Sequence, residues 1–163
     1  MLLFGKLPAH GDFVSRGWAP EERDALDAWL SASLAAAREG AGAAFEDRYD
    51  RAPPWRFVTA TIAGALAPSQ DGAGRRFPLL LALRGGGEAA ADACEALLYE
   101  AIGSGWTADT LVDHAAMLSD TSGGQGETRW WTLGGEGFAA ATLSGERPDD
   151  LIATMLHSAE TVS

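Results

Sequence analysis

The sequence predicts an α+β fold, a single-domain sandwich of helices on a mostly antiparallel sheet, and three observations carry that prediction. Strand-like and helix-like segments alternate irregularly along the chain. The run Phe77-Pro78-Leu79-Leu80-Leu81-Ala82-Leu83 is apolar on both faces, as a central strand covered on each side must be. Near the end, strand-like residues 129–133 and 138–143 flank the tight Gly134-Gly135-Glu136-Gly137 turn, which makes a hairpin.

Taken in order, residues 2–7 read as a short strand closed by Pro8 and the turn residues His10, Gly11 and Asp12. A helix follows from Pro20, whose ring presets the first-turn dihedral while Glu21 and Glu22 favour the positive end of the helix dipole. Leu26, Trp29, Leu30 and Leu34 share one face of it, and Gly40 and Gly42 end it. Residues 43–50 suit a further short helix. Ala52-Pro53-Pro54 then forces an extended entry into residues 55–62, whose aromatic and β-branched side chains predict one strand.

Turn chemistry makes residues 71–74 a loop that delivers the central strand at 77–83. Gly85-Gly86-Gly87 breaks the chain before a second long helix, with Ala93, Leu97, Leu98 and Ile102 as its buried stripe and Gly103 and Gly105 as its stop. Thr107 caps a third helix carrying Leu111, His114, Ala115 and Leu118. Residues 122–126 read as a loop, and a closing helix begins near Pro148 with Leu151, Ile152, Met155 and Leu156 packed inward.

Length and composition bound what this fold can do. At 163 residues, 47% hydrophobic and 21% charged, the chain suits one globular domain over residues 1–163. Its net charge of -11, with no basic cluster longer than Arg75-Arg76, opposes nucleic acid or an anionic membrane as a principal partner. Cys94 is the single cysteine, so no intramolecular disulfide exists, and on a helix with small neighbours it reads as a buried, inert thiol. The first residues lack a secretory leader pattern and no run reaches the ~18 apolar residues of a membrane span. A cytoplasmic protein is the expectation.

Chemistry-bearing motifs are sparse. Gly5-Lys6 lacks the glycine spacing and following hydroxyl of a phosphate loop, so Lys6 reads as a strand-end lysine. His10, His114 and His157 show no metal-ligand spacing, and no cofactor is expected. His10 and Asp12 are the one candidate pair for a base and its orienting carboxylate, which leaves a small hydrolase as an alternative reading, although a poised nucleophile is missing. On a strand, Trp130 and Trp131 point to opposite faces, one into the core and one outward as a candidate interface anchor.

Several blocks together resemble the TagF (ImpM) family associated with bacterial type VI secretion. Gly5-Lys6-Leu7-Pro8-Ala9-His10-Gly11-Asp12-Phe13-Val14 is similar to the family's opening motif. Pro68-Ser69-Gln70-Asp71-Gly72-Ala73-Gly74-Arg75-Arg76-Phe77-Pro78-Leu79 resembles its second signature. Trp29-Leu30, Pro54-Trp55-Arg56-Phe57 and Trp130-Trp131 add weaker matches. The resemblance implies a longin-like fold and a non-catalytic regulator that acts on secretion after translation, typically as a repressor. Its implied partner is the forkhead-associated scaffold of that system, bound without nucleic acid, cofactor or membrane insertion. A homodimeric module is a further reading, since longin-like sheets can pair through edges and helices.

Carried onto this chain, the motif residues are Lys6, Pro8, Gly11, Asp12, Phe13, Trp55, Ser69, Asp71, Gly74, Arg75, Phe77 and Trp131. Gly11 and Gly74 are expected to supply backbone freedom, and Pro8 and Pro78 to set strand exit and entry. Lys6, Asp12, Asp71 and Arg75 are expected to form one polar cluster, with Asp12 or Asp71 as the partner of Arg75. Two departures stand out: the stretch from Ile62 to Pro68 is short and lacks the tryptophan common there, and no fused phosphatase domain fits.

Overall fold

The computed structural model describes residues 1–85, 87–118 and 128–156. The strands are β1 (Leu2–Gly5), β2 (Val14–Arg16), β3 (Trp55–Val58), β4 (Ile62–Ala67), β5 (Leu79–Arg84), β6 (Arg129–Thr132) and β7 (Ala141–Ser144). The helices are α1 (Pro20–Ala41), α2 (Phe45–Arg51), α3 (Glu88–Ser104), α4 (Ala108–Ala115) and α5 (Leu151–Met155). Among the described residues the seven strands form one sheet in the order β2-β1-β5-β4-β3-β6-β7, and all its pairings are antiparallel. The α+β architecture read from the sequence is therefore the one observed, with β5 central between β1 and β4.

Helices cover both faces, and strand periodicity decides which side chain meets which layer. Leu2, Phe4, Trp55, Phe57, Leu66, Leu80 and Trp130 face α1, α2 and α5. Leu3, Val58, Ala63, Ala65, Leu79, Leu81 and Leu83 face α3 and α4. The first layer is aromatic: Trp130 stacks on Phe57 at 4.4 Å between centroids and takes Trp29 edge-on at 5.6 Å. The second is thin, because Ala63 and Ala65 of β4 pack with Ala90, Cys94 and Ala101 of α3. Small side chains on both elements let the helix axis approach the sheet closely, as interior packing density demands.

Four details differ from the sequence reading. The single strand expected over 55–62 is two strands, because Thr59 reverses the chain: its Oγ1 accepts from the Thr61 and Ile62 amides at 3.2 and 3.1 Å, while its N–H donates to the Ile62 carbonyl at 2.8 Å. A hydroxyl that bonds neighbouring amides offers the backbone a turn in place of a ladder. The short stretch before Pro68, to which the sequence reading assigns no element, is the buried strand β4. On α3 the buried stripe is Ala90, Ala91, Cys94, Leu98 and Ala101, so Ala93, Leu97 and Ile102 lie at its margin. Gly103 is inside the helix, and Gly105, at φ 67°, caps it.

Edges differ too. β2 is an unanticipated edge strand paired to β1, which ends at Gly5 instead of residue 7. Phe77 and Pro78 precede β5. Other elements stand in kind: α1 runs from Pro20 with the Glu22 carboxylate accepting the Ala19 N–H at 3.1 Å, Thr107 caps α4 at Thr110 N, and β6 and β7 make the hairpin. Their bounds shift, since Gly40 lies inside α1, α4 ends at Ala115 before Leu118, and the second hairpin strand is Ala141–Ser144 instead of 138–143. His114 points outward, stacked on Trp106 at 4.2 Å. The loop expected at 122–126 and His157 lie outside the described residues.

Two predictions follow from this packing. A methyl group at Gly64 would sit 2.0 Å from the Leu81 carbonyl oxygen and 2.7 Å from Ala82 Cα. Gly64→Ala therefore has to push β4 from β5, and urea denaturation is expected to show a loss of about 2 kcal/mol or more; an unchanged midpoint would refute it. Burial in the alanine layer pushes the Cys94 thiol up to about 12. Native protein should resist a thiol reagent at mildly alkaline pH and react fully once unfolded.

Candidate functional site

The site is built where β1 leaves the sheet. Gly5 holds φ 136°, and a Cβ there would meet the Pro78 carbonyl at 2.0 Å, so only glycine lets the chain pass this close to the entry of β5. Lys6 follows and is buried, with its ammonium 3.2 Å from Asp71 Oδ2. Asp71 is only 1% exposed, which is tolerable for a carboxylate when donors fill its lone pairs. Its Oδ1 accepts the Ala73 and Arg75 amides at 2.9 and 3.0 Å, and its Oδ2 accepts Arg75 Nε at 2.8 Å.

Further bonds lock two loops to this carboxylate. Arg75 also donates to the Gly11 carbonyl at 2.8 Å, and the Gly72 N–H donates to the His10 carbonyl at 2.7 Å. Gly74 closes the 71–75 turn at φ 83°. Behind it, Ser69 is buried: its hydroxyl donates to the Lys6 carbonyl at 2.7 Å, and its N–H and C=O both bond the Tyr49 hydroxyl. Burial drives the Tyr49 phenol well above its ordinary range, so it remains a neutral donor and acceptor.

The expected polar cluster thus forms from three of its four members. Asp12 is not the partner of Arg75, because its Oδ1 accepts its own neighbour's Phe13 N–H at 2.8 Å and the residue is exposed. Nor does it orient His10, whose Nε2 accepts the Ala108 N–H at 2.9 Å and so caps α4. That bond occupies the lone pair a general base would need. Gly11 lacks the constraint expected of it: its φ is not positive and an added methyl finds open space, whereas at Gly72 the Pro8 carbonyl would be 3.2 Å away.

Burial separates the remaining motif residues. Trp55, Ser69 and Phe77 lie inside the protein, and Pro8 and Trp131 are half-buried, the Trp131 ring covered by Arg129 at 4.4 Å. Phe13 differs: it is 42% exposed yet fixed, stacked on Phe4 at 5.8 Å and edge-on to Phe77 at 4.8 Å, with Lys6 Nζ 4.9 Å from its centroid. Sequence reading missed Tyr49, His10 as a helix cap, and Arg76, which bonds Asp50 and Glu46 on α2. Only the last carried a local signal, the adjacent Arg75-Arg76 pair facing an acidic helix in the same chain.

Among the described residues, no group of three or more His, Cys, Asp and Glu is placed to hold a metal ion, and no helix is long and apolar enough to cross a membrane.

Burial alone would raise the Asp71 carboxyl, but the Arg75 amide, the Lys6 ammonium and the Ala73 amide outweigh it and hold it at about 2, below the ordinary 3.8. A depressed folded value adds stability above the unfolded pKa that is lost as pH falls through the folded one. Asp71→Asn is therefore expected to melt below the parent at neutral pH, with the difference shrinking between pH 3.8 and about 2. Melting curves at stepped pH that keep a constant difference would disprove this.

The comparisons agree with the geometry. The family model described as the TagF N-terminal domain, type VI secretion system-associated, matches residues 3–118. No curated protein matches the sequence. The crystal structure of PA0076 from Pseudomonas aeruginosa PAO1 superposes with a TM-score of 0.78 at 24% identity, covering 96% of this chain and 93% of that one. That structure has the same fold, and the matched span contains all of β1 but Leu2, the Asp71 loop and α3; the chain belongs to the type VI secretion system-associated TagF family.

Proposed function

We propose that the chain is a non-catalytic accessory protein that restrains type VI secretion after translation by binding a component of the apparatus, the forkhead-associated scaffold being the expected partner. The exposed, immobilised Phe13 ring carries this reading. Interface anchors are typically rigid aromatics that lose little freedom on binding. Phe13 is held by Phe4 and Phe77 and flanked by the buried Lys6, so its outward face is presented with its entropy already spent. Arg75, with its side chain 65% exposed, stands on the loop tied to Gly11 and adds a planar donor for a carboxylate or phosphate.

The rest of the motif supports that surface without offering bond-making chemistry. Asp71 spends its lone pairs on four donors, and His10 spends its Nε2 on a helix terminus. These groups serve rigidity, and the binding role falls to what the loops display. A cytoplasmic location and repression, as opposed to activation, belong to the same proposal.

The test is co-purification with the scaffold from the native bacterium, alongside a secretion assay on the deletion strain. Phe13→Ser is expected to weaken scaffold binding by about thirtyfold; because the ring also packs on Phe4 and Phe77, a modest fall in melting temperature accompanies it, with the fold retained at the assay temperature. Scaffold that never co-purifies, together with secretion unaltered by deletion, would end the proposal.

A further inference from the structure

A groove that Phe13 does not line lies where the end of α3 meets the end of β4. Tyr99, Ile102 and Ser104 border it from the helix, Ala67 and Pro68 from the strand end, and Pro53 and Pro54 from across, around a hollow of about 650 Å³. It shares Asp50, Pro68 and Ile102 with a second hollow of about 400 Å³ that reaches Pro8 and Gln70. The two make one channel long enough for several residues of extended chain.

Its chemistry is one-sided. The floor is apolar, and three of its residues are prolines, which have no N–H to donate. The last turn of α3, at Ile102, Gly103 and Ser104, borders it with the negative end of the helix dipole. Tyr99 stands on the wall 77% exposed, although it is a large aromatic next to an apolar floor. The prolines leave the floor short of backbone donors, and the charged groups at the rim are mostly carboxylates.

Charge points the same way. Two arginines near the rim each serve two carboxylates: Arg76 bonds Asp50 and Glu46, and Arg56 bonds Asp92 and Glu95. Each cluster therefore keeps a net negative charge. Glu100 adds another, while Arg51, the basic residue in the lining, is itself paired with Asp47 at 2.8 Å. An occupant that fits supplies cationic donors to the rim and apolar groups to the floor, with a site for a cation on the face of Tyr99.

We propose that this groove binds an extended segment of a partner protein in which Lys or Arg alternates with apolar residues. The Phe13 surface and the groove are separate, since Phe13 does not line it, and the proposal holds whichever secretion component the Phe13 face engages.

The experiment uses the full chain and a short labelled synthetic peptide in which Lys alternates with Leu and Pro, with oligolysine of equal charge as control, read by fluorescence anisotropy. The mixed peptide is expected to bind about tenfold more tightly than oligolysine, and to weaken as salt rises. Tyr99→Ser and Glu100→Lys, both at exposed positions, should each weaken the mixed peptide about tenfold without shifting the melting temperature. Amide chemical-shift changes should gather on 67–70 and 99–104. Equal affinity for the two peptides would mean unspecific attraction to an acidic protein and would overturn the proposal. So would undiminished binding in both variants, or a homodimer that Tyr99→Ser dissociates, which would assign the groove to a second copy. Because Phe13→Ser leaves the groove untouched, either binding test can fail without the other.

Discussion

Burying the Asp71 carboxylate is the constraint around which this end of the molecule is arranged. A charged group removed from water needs its lone pairs filled and its charge met. Here two backbone amides, one ammonium and one guanidinium converge on it from the end of β1 and from its own turn. Removing any donor would leave a buried charge short of a partner, so the residues that supply them are held in place together. Arg75 passes the restraint on to the 8–13 loop through Gly11, and Ser69 passes it to α2 through Tyr49. The outcome is a rigid platform whose outward features are Phe13 and the guanidinium of Arg75.

Beyond that hub, the two faces of the sheet solve packing differently. Toward α1 and α5 the gap is filled with rings, and the indoles of Trp29 and Trp130 reach backbone carbonyls of Pro148 and Glu146 at 2.9 Å, so their polar edges are satisfied on burial. Toward α3 the contact with β4 is made by small side chains, Ala63 and Ala65 against Ala90, Cys94 and Ala101, while leucines of β1 and β5 and Leu98 of α3 fill the rest of the layer. At the end of α3, Ile102 and the exposed Tyr99 border the open channel instead of closing it.

Much of this was legible in the residues themselves. Pro20 with Glu21 and Glu22 marked the start of α1, Thr107 marked α4, the glycine turn marked the β6–β7 hairpin, and alternation put Trp130 and Trp131 on opposite faces, of which the fold buries Trp130. A polar cluster of Lys6, Asp12, Asp71 and Arg75 was legible, but not that Asp71 alone of the two carboxylates would meet Arg75. The failures have physical reasons. Residues 55–62 keep strand propensity through the turn, so nothing in residue type announced that a Thr59 hydroxyl would reverse the chain. On α3 the alanines that pack inward contribute little hydrophobic contrast, and the larger Leu97 and Ile102 at the margin drew the stripe away from Cys94.

What the sequence alone determined is therefore local: dihedral preferences, caps and side-chain period act within a few residues and remain visible in the linear order. Tertiary structure alone decided which polar groups meet. The Ala108 N–H finds His10 across 98 positions, the Gly11 carbonyl finds Arg75 across 64, and the Lys6 carbonyl finds Ser69 across 63. Such pairings depend on how the sheet stacks its strands. A residue type states what it can donate or accept, and only the fold brings the complementary group within 3 Å of it.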